Sequence, residues 1–205
     1  MIRALVCGGA FNPPTKAHIE LADEVRRKLS YDKVIFVPSK QTYIRNEQGK
    51  DFAFDNETRL AMLEKIAENR EWMEVCDYEL NAEKQPRTYE TLCMLRDRGY
   101  EAKLLFGSDK LHELETGWKY IPELCREFGI AVMSRDDDDA EQIIALDPYL
   151  SSLKEYLTVV KTDDVYRDIS STKVRQQIRT MLEASDRIME MVPEELADLH
   201  EYLRK

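Results

Sequence analysis

The sequence predicts an α/β domain built on one doubly wound parallel sheet, with helices on both faces and a C-terminal helical segment. Three observations carry this reading. Short apolar runs rich in β-formers recur at residues 2–7, 33–38, 72–76, 103–109, 129–135 and 158–160. Stretches with apolar residues at helical spacing alternate with them, and that alternation gives a parallel sheet covered by helices. No repeat, linker or low-complexity tract divides the chain, so residues 1–205 read as a single domain.

The first strand runs into Gly8-Gly9-Ala10-Phe11-Asn12-Pro13-Pro14-Thr15-Lys16-Ala17-His18, and a helix follows with Leu21, Val25 and Leu29 on one face. Paired glycines let a backbone pass close to an anion with no Cβ in the way. A helix start aims unpaired N–H groups and partial positive charge at the same spot. The turn is thus a candidate phosphate cradle. It has neither the Gly-Lys-Ser/Thr ending of a Walker loop nor the three spaced glycines of a dinucleotide fingerprint. Thr15 is placed to cap the helix. His18 admits two readings: a reach to the turn's ligand, or an ordinary solvated or core histidine.

Pro38 stops the second strand, and residues 39–55, with Lys40, Tyr43, Arg45 and Lys50, show no period and read as a loop. Residues 56–60 open a helix with an apolar stripe of Leu60, Leu63 and Ile66-Ala67. The third strand leads into a polar loop ending at Pro86-Arg87, and Thr88 can cap a helix running through Leu92 and Leu95 to Gly99. The fourth ends in Gly107-Ser108-Asp109, residues expected where a strand opens onto a ligand crevice. Trp118 lies in a glycine-flanked polar stretch, where packing and a ligand role explain it equally well. A helix over residues 120–128 precedes the fifth strand. The acidic run at residues 136–139 reads as a solvated helix start rather than a metal cluster. Ile169-Ser170-Ser171-Thr172-Lys173-Val174-Arg175 opens a helix carrying Val174, Ile178 and Leu182. Its hydroxyls serve as caps, and with two nearby cations the helix start is also a second anion site. Pro193 then begins a C-terminal helix reaching Leu203.

Charged residues make up 34% of the chain and the mean hydropathy is −0.54. No apolar run is long enough to span a membrane, and no secretory segment precedes the glycine turn, so a cytoplasmic protein is expected. Four cysteines, at 7, 76, 93 and 125, show no paired or metal spacing; three lie in apolar contexts, so reduced core thiols are the default expectation. A net charge of −10 argues against bulk nucleic-acid binding, which needs a basic face. It leaves room for a small nucleotide, whose phosphates a few local cations and a metal can hold.

The segment Gly8–His18 resembles the first motif of the nucleotidyltransferase superfamily, Gly-x-Phe-(Asp/Asn)-Pro followed by (His/Thr)-x-x-His. Residues 169–175 look like its second motif, in the form found in nicotinamide and nicotinate mononucleotide adenylyltransferases. Gly107-Ser108-Asp109 with Trp118-Lys119, the strand ending in Ser134-Arg135, and Thr88-Tyr89-Glu90-Thr91-Leu92 resemble further segments of that family, so the resemblance covers nearly the whole chain. It implies a Rossmann-like sheet and transfer of AMP from ATP to a pyridine mononucleotide in NAD biosynthesis, releasing pyrophosphate. The ATP-binding residues it implies are Gly8, Gly9, Ala10, Phe11, Asn12, His18, Gly107, Asp109, Arg135, Ile169, Ser171, Thr172 and Arg175. Among them His18, against the α-phosphate, and Arg175, with Ser171 and Thr172 at the β/γ end, are expected to carry catalysis. Lys40, Arg45, Tyr78, Thr88 and Trp118 fall to the mononucleotide, with Trp118 stacked on the pyridine ring.

Mg²⁺ is implied on phosphate oxygens, with no protein ligand set of its own. The implied partners are ATP and the mononucleotide, without nucleic acid or membrane, and a homo-oligomer stays open. Thr15 stands where many bacterial members carry the first His of a His-x-x-His pair. Ile44 stands where a phosphate-binding loop lysine is usual, which leaves Lys40 or Arg45 to substitute. Two other readings stay open: another small-substrate enzyme such as a pantetheine-phosphate adenylyltransferase, or a non-catalytic nucleotide-binding protein of the same fold. The Ser-Ser-Thr-Lys-Val-Arg form and Trp118 favour the pyridine substrate.

Overall fold

Six strands form one parallel sheet in the computed structural model of the chain: β1 (Ile2–Gly9), β2 (Lys33–Pro38), β3 (Met73–Val75), β4 (Tyr100–Gly107), β5 (Ile130–Ser134) and β6 (Leu157–Lys161). Their order is β3-β2-β1-β4-β5-β6, the Rossmann-like order in which growth of the sheet reverses at β1. The structure describes residues 1–46, 54–134, 139–180, 186–197 and 199–202. Flanking helices are α1 (Lys16–Lys28), α2 (Gln41–Asn46), α3 (Asn56–Ala67), α4 (Tyr78–Asn81), α5 (Thr88–Asp97), α6 (Ile121–Glu127), α7 (Ala140–Leu146) and α8 (Pro148–Ser152). The C-terminal segment adds α9 (Ser171–Thr180), α10 (Asp186–Met191) and α11 (Leu199–Tyr202). Among the described residues no helix is long and apolar enough to cross a membrane.

The chain resolves into two compact units, each discontinuous in sequence. The first comprises Met1–Gly8, Ala22–Ile35 and Pro86–Asp164. In it Ile2–Val6 of β1 lie in register with Tyr100–Leu104, Leu104–Gly107 with Ile130–Met133, and Ile130–Ser134 with Leu157–Lys161. Consecutive residues Ala4 to Cys7, Leu104 to Phe106 and Ile130 to Val132 are all buried, as expected of parallel strands covered on both faces. Gly99 and Gly129, at φ +95° and +70°, follow α5 and α6 in a conformation that side chains rarely adopt. The second unit comprises Gly9–Leu21, Phe36–Gln85 and Val165–Lys205. Its core gathers Ile19, Phe36, Ile44, Met62, Leu63, Ile66 and Leu196.

Several local expectations need correction. Within residues 39–55, expected as a loop, Gln41–Asn46 is helical. Ile44 is its one buried residue, and its first amide donates to Asn56 Oδ1 at 2.8 Å, so the helix depends on a partner far along the chain. Residues 47–53, which include Lys50, lie outside the described residues. The polar loop after β3 contains α4. In α3 the buried stripe is Arg59, Met62, Leu63 and Ile66, whereas Leu60 is half-buried, so the expected face is rotated. Thr88 does not cap α5: it is the first helical residue, and Glu90 accepts the Arg87 amide at 2.7 Å instead. The single C-terminal helix expected from Pro193 is a 3₁₀ turn, Glu194–Leu196, followed by α11 and preceded by α10. The ion pair of Glu195 with Arg70 and the burial of Val192, Leu196 and Leu199 fold that stretch onto the unit rather than letting it run straight. Of the acidic run only Asp139 is described, and it caps α7 by accepting the Gln142 amide at 3.1 Å.

All four cysteines are free thiols. Burial pushes the Cys7 thiol up to about 12 and that of Cys125 to about 11. Cys76 is buried too, and Cys93 is partly exposed. In a native titration with a disulfide reagent, Cys93 reacts first, and Cys7, Cys76 and Cys125 react only as the protein unfolds. Simultaneous reaction of all four would contradict this burial pattern.

Candidate active site

β1 continues as strand through Gly8 and Gly9, so the glycines are the end of a strand and not the turn itself. A Cβ on Gly9 would lie 3.3 Å from the Phe11 ring, whereas none within 4 Å would meet one on Gly8. The reversal falls on Phe11, at φ 42°, and on the cis Asn12-Pro13 peptide. A left-handed conformation costs a residue with a Cβ about 1–2 kcal/mol. Phe11 is held there by its buried ring, which meets Phe36 and His18 edge-on at centroid distances of 5.5 and 5.3 Å. Asn12 is buried, and its Oδ1 accepts the Phe54 amide at 2.9 Å. Thr15 has no exposed surface, and its carbonyl accepts the amides of His18 and Ile19, starting α1. Its side chain does not cap the helix in the usual way. Thr15 Oγ1 lies 2.8 Å from His18 Nδ1, and the Thr15 amide donates to the same nitrogen at 3.1 Å.

The start of α9 belongs to the same unit and is bound to this turn. Ser171 Oγ donates to the Pro13 carbonyl at 2.7 Å, and Arg175 Nη1 donates to the Asn12 carbonyl at 2.8 Å. Arg175 Nη2 also donates to Thr172 Oγ1 at 3.1 Å. Ser170 Oγ accepts the Lys173 amide, and Lys173 pairs with Asp168 at 2.8 Å. That bond and the ammonium's charge hold the Asp168 carboxyl below the usual range. Ile169 lies half-buried just before the helix. Neither α1 nor α9 has an acidic residue in its first turn. Their positive ends are therefore left without the usual carboxylate.

The structure treats the other expected residues unevenly. Lys40 donates its ammonium to the carbonyls of Leu80, at 2.8 Å, and Ala82, so it clasps the end of α4. Ile44 is fully buried, while Arg45 is exposed in the last turn of α2. Tyr78 opens α4, half-buried. In the first unit, Gly107 ends β4, and a Cβ there would fall 2.7 Å from Asp109 Oδ1. The absent side chain thus lets the exposed Asp109 carboxylate fold back over the strand end. Trp118 is half-buried, tilted against Phe106 at 5.7 Å. Thr88 is the first residue of α5, half-buried, and Arg135 lies outside the described residues.

Residues 6–177 match the cytidylyltransferase-like family model. A probable nicotinate-nucleotide adenylyltransferase from Clostridium acetobutylicum is 30% identical over 202 residues, covering 97% of this chain and 96% of the relative. One from Aliarcobacter butzleri is 31% identical over 183 residues, covering 87% and 89%. The chain belongs to the nicotinate-nucleotide adenylyltransferase family. It is thereby a nucleotidyltransferase. In fold it is similar to the Plasmodium falciparum nicotinic acid mononucleotide adenylyltransferase complexed with NaAD, at TM-score 0.74 and 16% identity, covering 100% of this chain and 99% of that one.

In this family member a further residue shapes the turn that the motifs alone did not mark. Arg59 is completely buried in α3. Its Nη1 donates to the Ala10 carbonyl at 2.8 Å, its Nη2 to the Ser39 carbonyl at 2.7 Å and Asn56 Oδ1 at 2.9 Å, and its Nε to the Phe54 carbonyl at 3.1 Å. Burial draws its pKa down to about 10, with Asp55 opposing the shift, so it stays charged at neutral pH. The signal in the sequence was a charged residue four and seven positions before Leu63 and Ile66, on the apolar face of an amphipathic helix. Arg59→Ala leaves buried carbonyls without donors and is expected to cost about 3–5 kcal/mol in urea unfolding. Arg59→Lys, which cannot reach all four oxygens, is expected to fall between the two. A loss under about 1 kcal/mol for Arg59→Ala would show that the network is dispensable.

Proposed function

We propose that this enzyme transfers AMP from ATP to nicotinate mononucleotide or its amide, giving the dinucleotide and pyrophosphate. The observation that carries the proposal is the bonding of Ser171 and Arg175 to the carbonyls of Pro13 and Asn12. It joins the two family motifs into one arrangement of helix ends, hydroxyls, a guanidinium and an imidazole. The names of the two curated relatives support the pyridine substrate.

In the proposed reaction a phosphate oxygen of the mononucleotide attacks the α-phosphorus of ATP. The bond from that phosphorus to the α–β bridging oxygen breaks in line, and pyrophosphate leaves with the electron pair. No covalent enzyme intermediate is needed, so catalysis consists of alignment and charge stabilisation. His18 holds the α-phosphate, while Ser171, Thr172 and Arg175 hold the β/γ end and stabilise the leaving group. The backbone at residues 8–12 and Ile169 line the nucleotide. Gly107 and Asp109 take ribose or adenine, Arg135 contributes to the ATP set, and Trp118 stacks on the pyridine ring, with Tyr78 and Thr88 near it. Of the two candidate cations for the mononucleotide phosphate, Lys40 and Arg45, the role falls to Arg45 in this reading, because the Lys40 ammonium holds two carbonyls.

Mg²⁺ bound to the phosphate oxygens would neutralise charge on the pyrophosphate. The donor set fits that arrangement: the described motif residues offer hydroxyls, an imidazole and a guanidinium, and no carboxylate lies in either helix's first turn. Residues 1–205 act in this proposal as one nucleotidyltransferase domain in the cytoplasm.

With ATP and Mg²⁺, the purified protein is expected to release pyrophosphate on addition of nicotinate mononucleotide or nicotinamide mononucleotide, and the ratio of the two rates gives the acid–amide preference. Release with neither, or equal release with phosphopantetheine, would overturn the reading. His18→Ala is expected to lower kcat by about 10²–10³-fold and, because it leaves the buried Thr15 donors without their acceptor, to lower the thermal midpoint by only a few degrees. Turnover close to wild type would remove His18 from the mechanism.

A further inference from the structure

We propose that Thr15 is a positioning residue that sets which nitrogen of His18 carries the proton. A backbone amide can only donate, and the Thr15 amide points at His18 Nδ1 from 3.1 Å. That contact favours a lone pair on Nδ1, and so favours the neutral ring with its proton on Nε2. The Thr15 hydroxyl, 2.8 Å from the same nitrogen, is a second donor to it. The pair closes a short ring, because the Thr15 carbonyl also accepts the His18 amide at 3.0 Å.

Two features keep the arrangement from relaxing. Thr15 has no exposed surface, so its hydroxyl cannot easily exchange the imidazole for bulk water. The edge-on contact of Phe11 with the imidazole, at 5.3 Å and 75° between planes, restricts turning of the ring. The consequence rests on the reading of His18 as the α-phosphate ligand. A neutral imidazole with its proton on Nε2 offers a phosphoryl oxygen a donor, whereas the other tautomer would offer it a lone pair. Thr15 thus takes over, through Nδ1, the orienting task that a carboxylate or carbonyl commonly performs for a functional histidine.

The test reads the tautomer directly, by ¹⁵N spectroscopy of the imidazoles of the ligand-free protein at alkaline pH, with His18→Gln identifying the signal. Wild type is expected to show His18 protonated on Nε2 alone. Thr15→Val keeps the shape and the amide but removes the hydroxyl, and is expected to show a mixture of tautomers. It should lower kcat about 10-fold to 100-fold with the KM values little changed, and Thr15→Ser should restore both signals. A wild-type ring protonated on Nδ1 overturns the proposal. So does a Thr15→Val protein with the wild-type tautomer and kcat. If Thr15→Val does not fold, the wild-type spectrum and the Thr15→Ser kinetics decide. If no variant releases pyrophosphate, the functional reading fails, and the spectra still decide the role of Thr15.

Discussion

The guanidinium of Arg59 draws four oxygens together and braces the turn after β1. The acceptors are the Ala10, Ser39 and Phe54 carbonyls and Asn56 Oδ1, and none is a carboxylate. Each guanidinium nitrogen has an acceptor, yet among the described residues none of these acceptors carries a negative charge, and burial lowers the pKa. The network extends from there. Asn56 Oδ1 also accepts the first amide of α2, Asn12 Oδ1 accepts the Phe54 amide, and the Ser39 amide donates to the Gly9 carbonyl. Removing one guanidinium would therefore loosen the ends of two strands and the starts of two helices together. Such coupling suits a site that must stay fixed to within fractions of an ångström.

The proposed function requires an acidic protein to hold a polyphosphate. The net charge of −10 is a property of the whole surface, while binding depends on the field at the phosphates. Locally the balance is reversed. Each helix end contributes about half a positive charge, and both α1 and α9 leave their first turns free of acids. Arg175 adds a full charge at the point where α9 meets the turn. Asp168, the acid nearest in sequence to the start of α9, is occupied by Lys173. Negative charge elsewhere on the surface leaves this local arrangement in place.

The strands were legible because a buried parallel strand writes itself as a continuous apolar run, and every such run became a strand. The helices with several apolar positions were legible for a similar reason, and Gly99 ended one where expected. What escaped depends on contacts between distant residues. Nothing near Gln41 announces a helix whose first amide is satisfied by Asn56. The paired glycines pointed to the right place for the wrong cause: the strand passes through them, and the chain turns at Phe11, a residue whose bulk argues against a positive φ until its buried ring is seen. The motif pair was readable from residue types, but its physical union was not, since it rests on two side chains donating to backbone carbonyls more than 150 positions away. Arg59 was hidden for the opposite reason, because an arginine on a helix is ordinarily surface.

Thr15 shows the same division between type and geometry. As a letter in a motif it is a departure from the His-x-x-His pair. In the structure the position faces His18 rather than an open site, so what it must supply is a donor to Nδ1 and a shape that fits a fully enclosed space. A hydroxyl meets both demands. The backbone amide adds a donor that no substitution other than proline removes. The orientation of His18 is therefore held partly by the fold, through the peptide at residue 15 and the ring of Phe11, and only partly by the side chain that differs. A lone histidine in this motif is then a complete unit, because its partner is built into the turn that carries it.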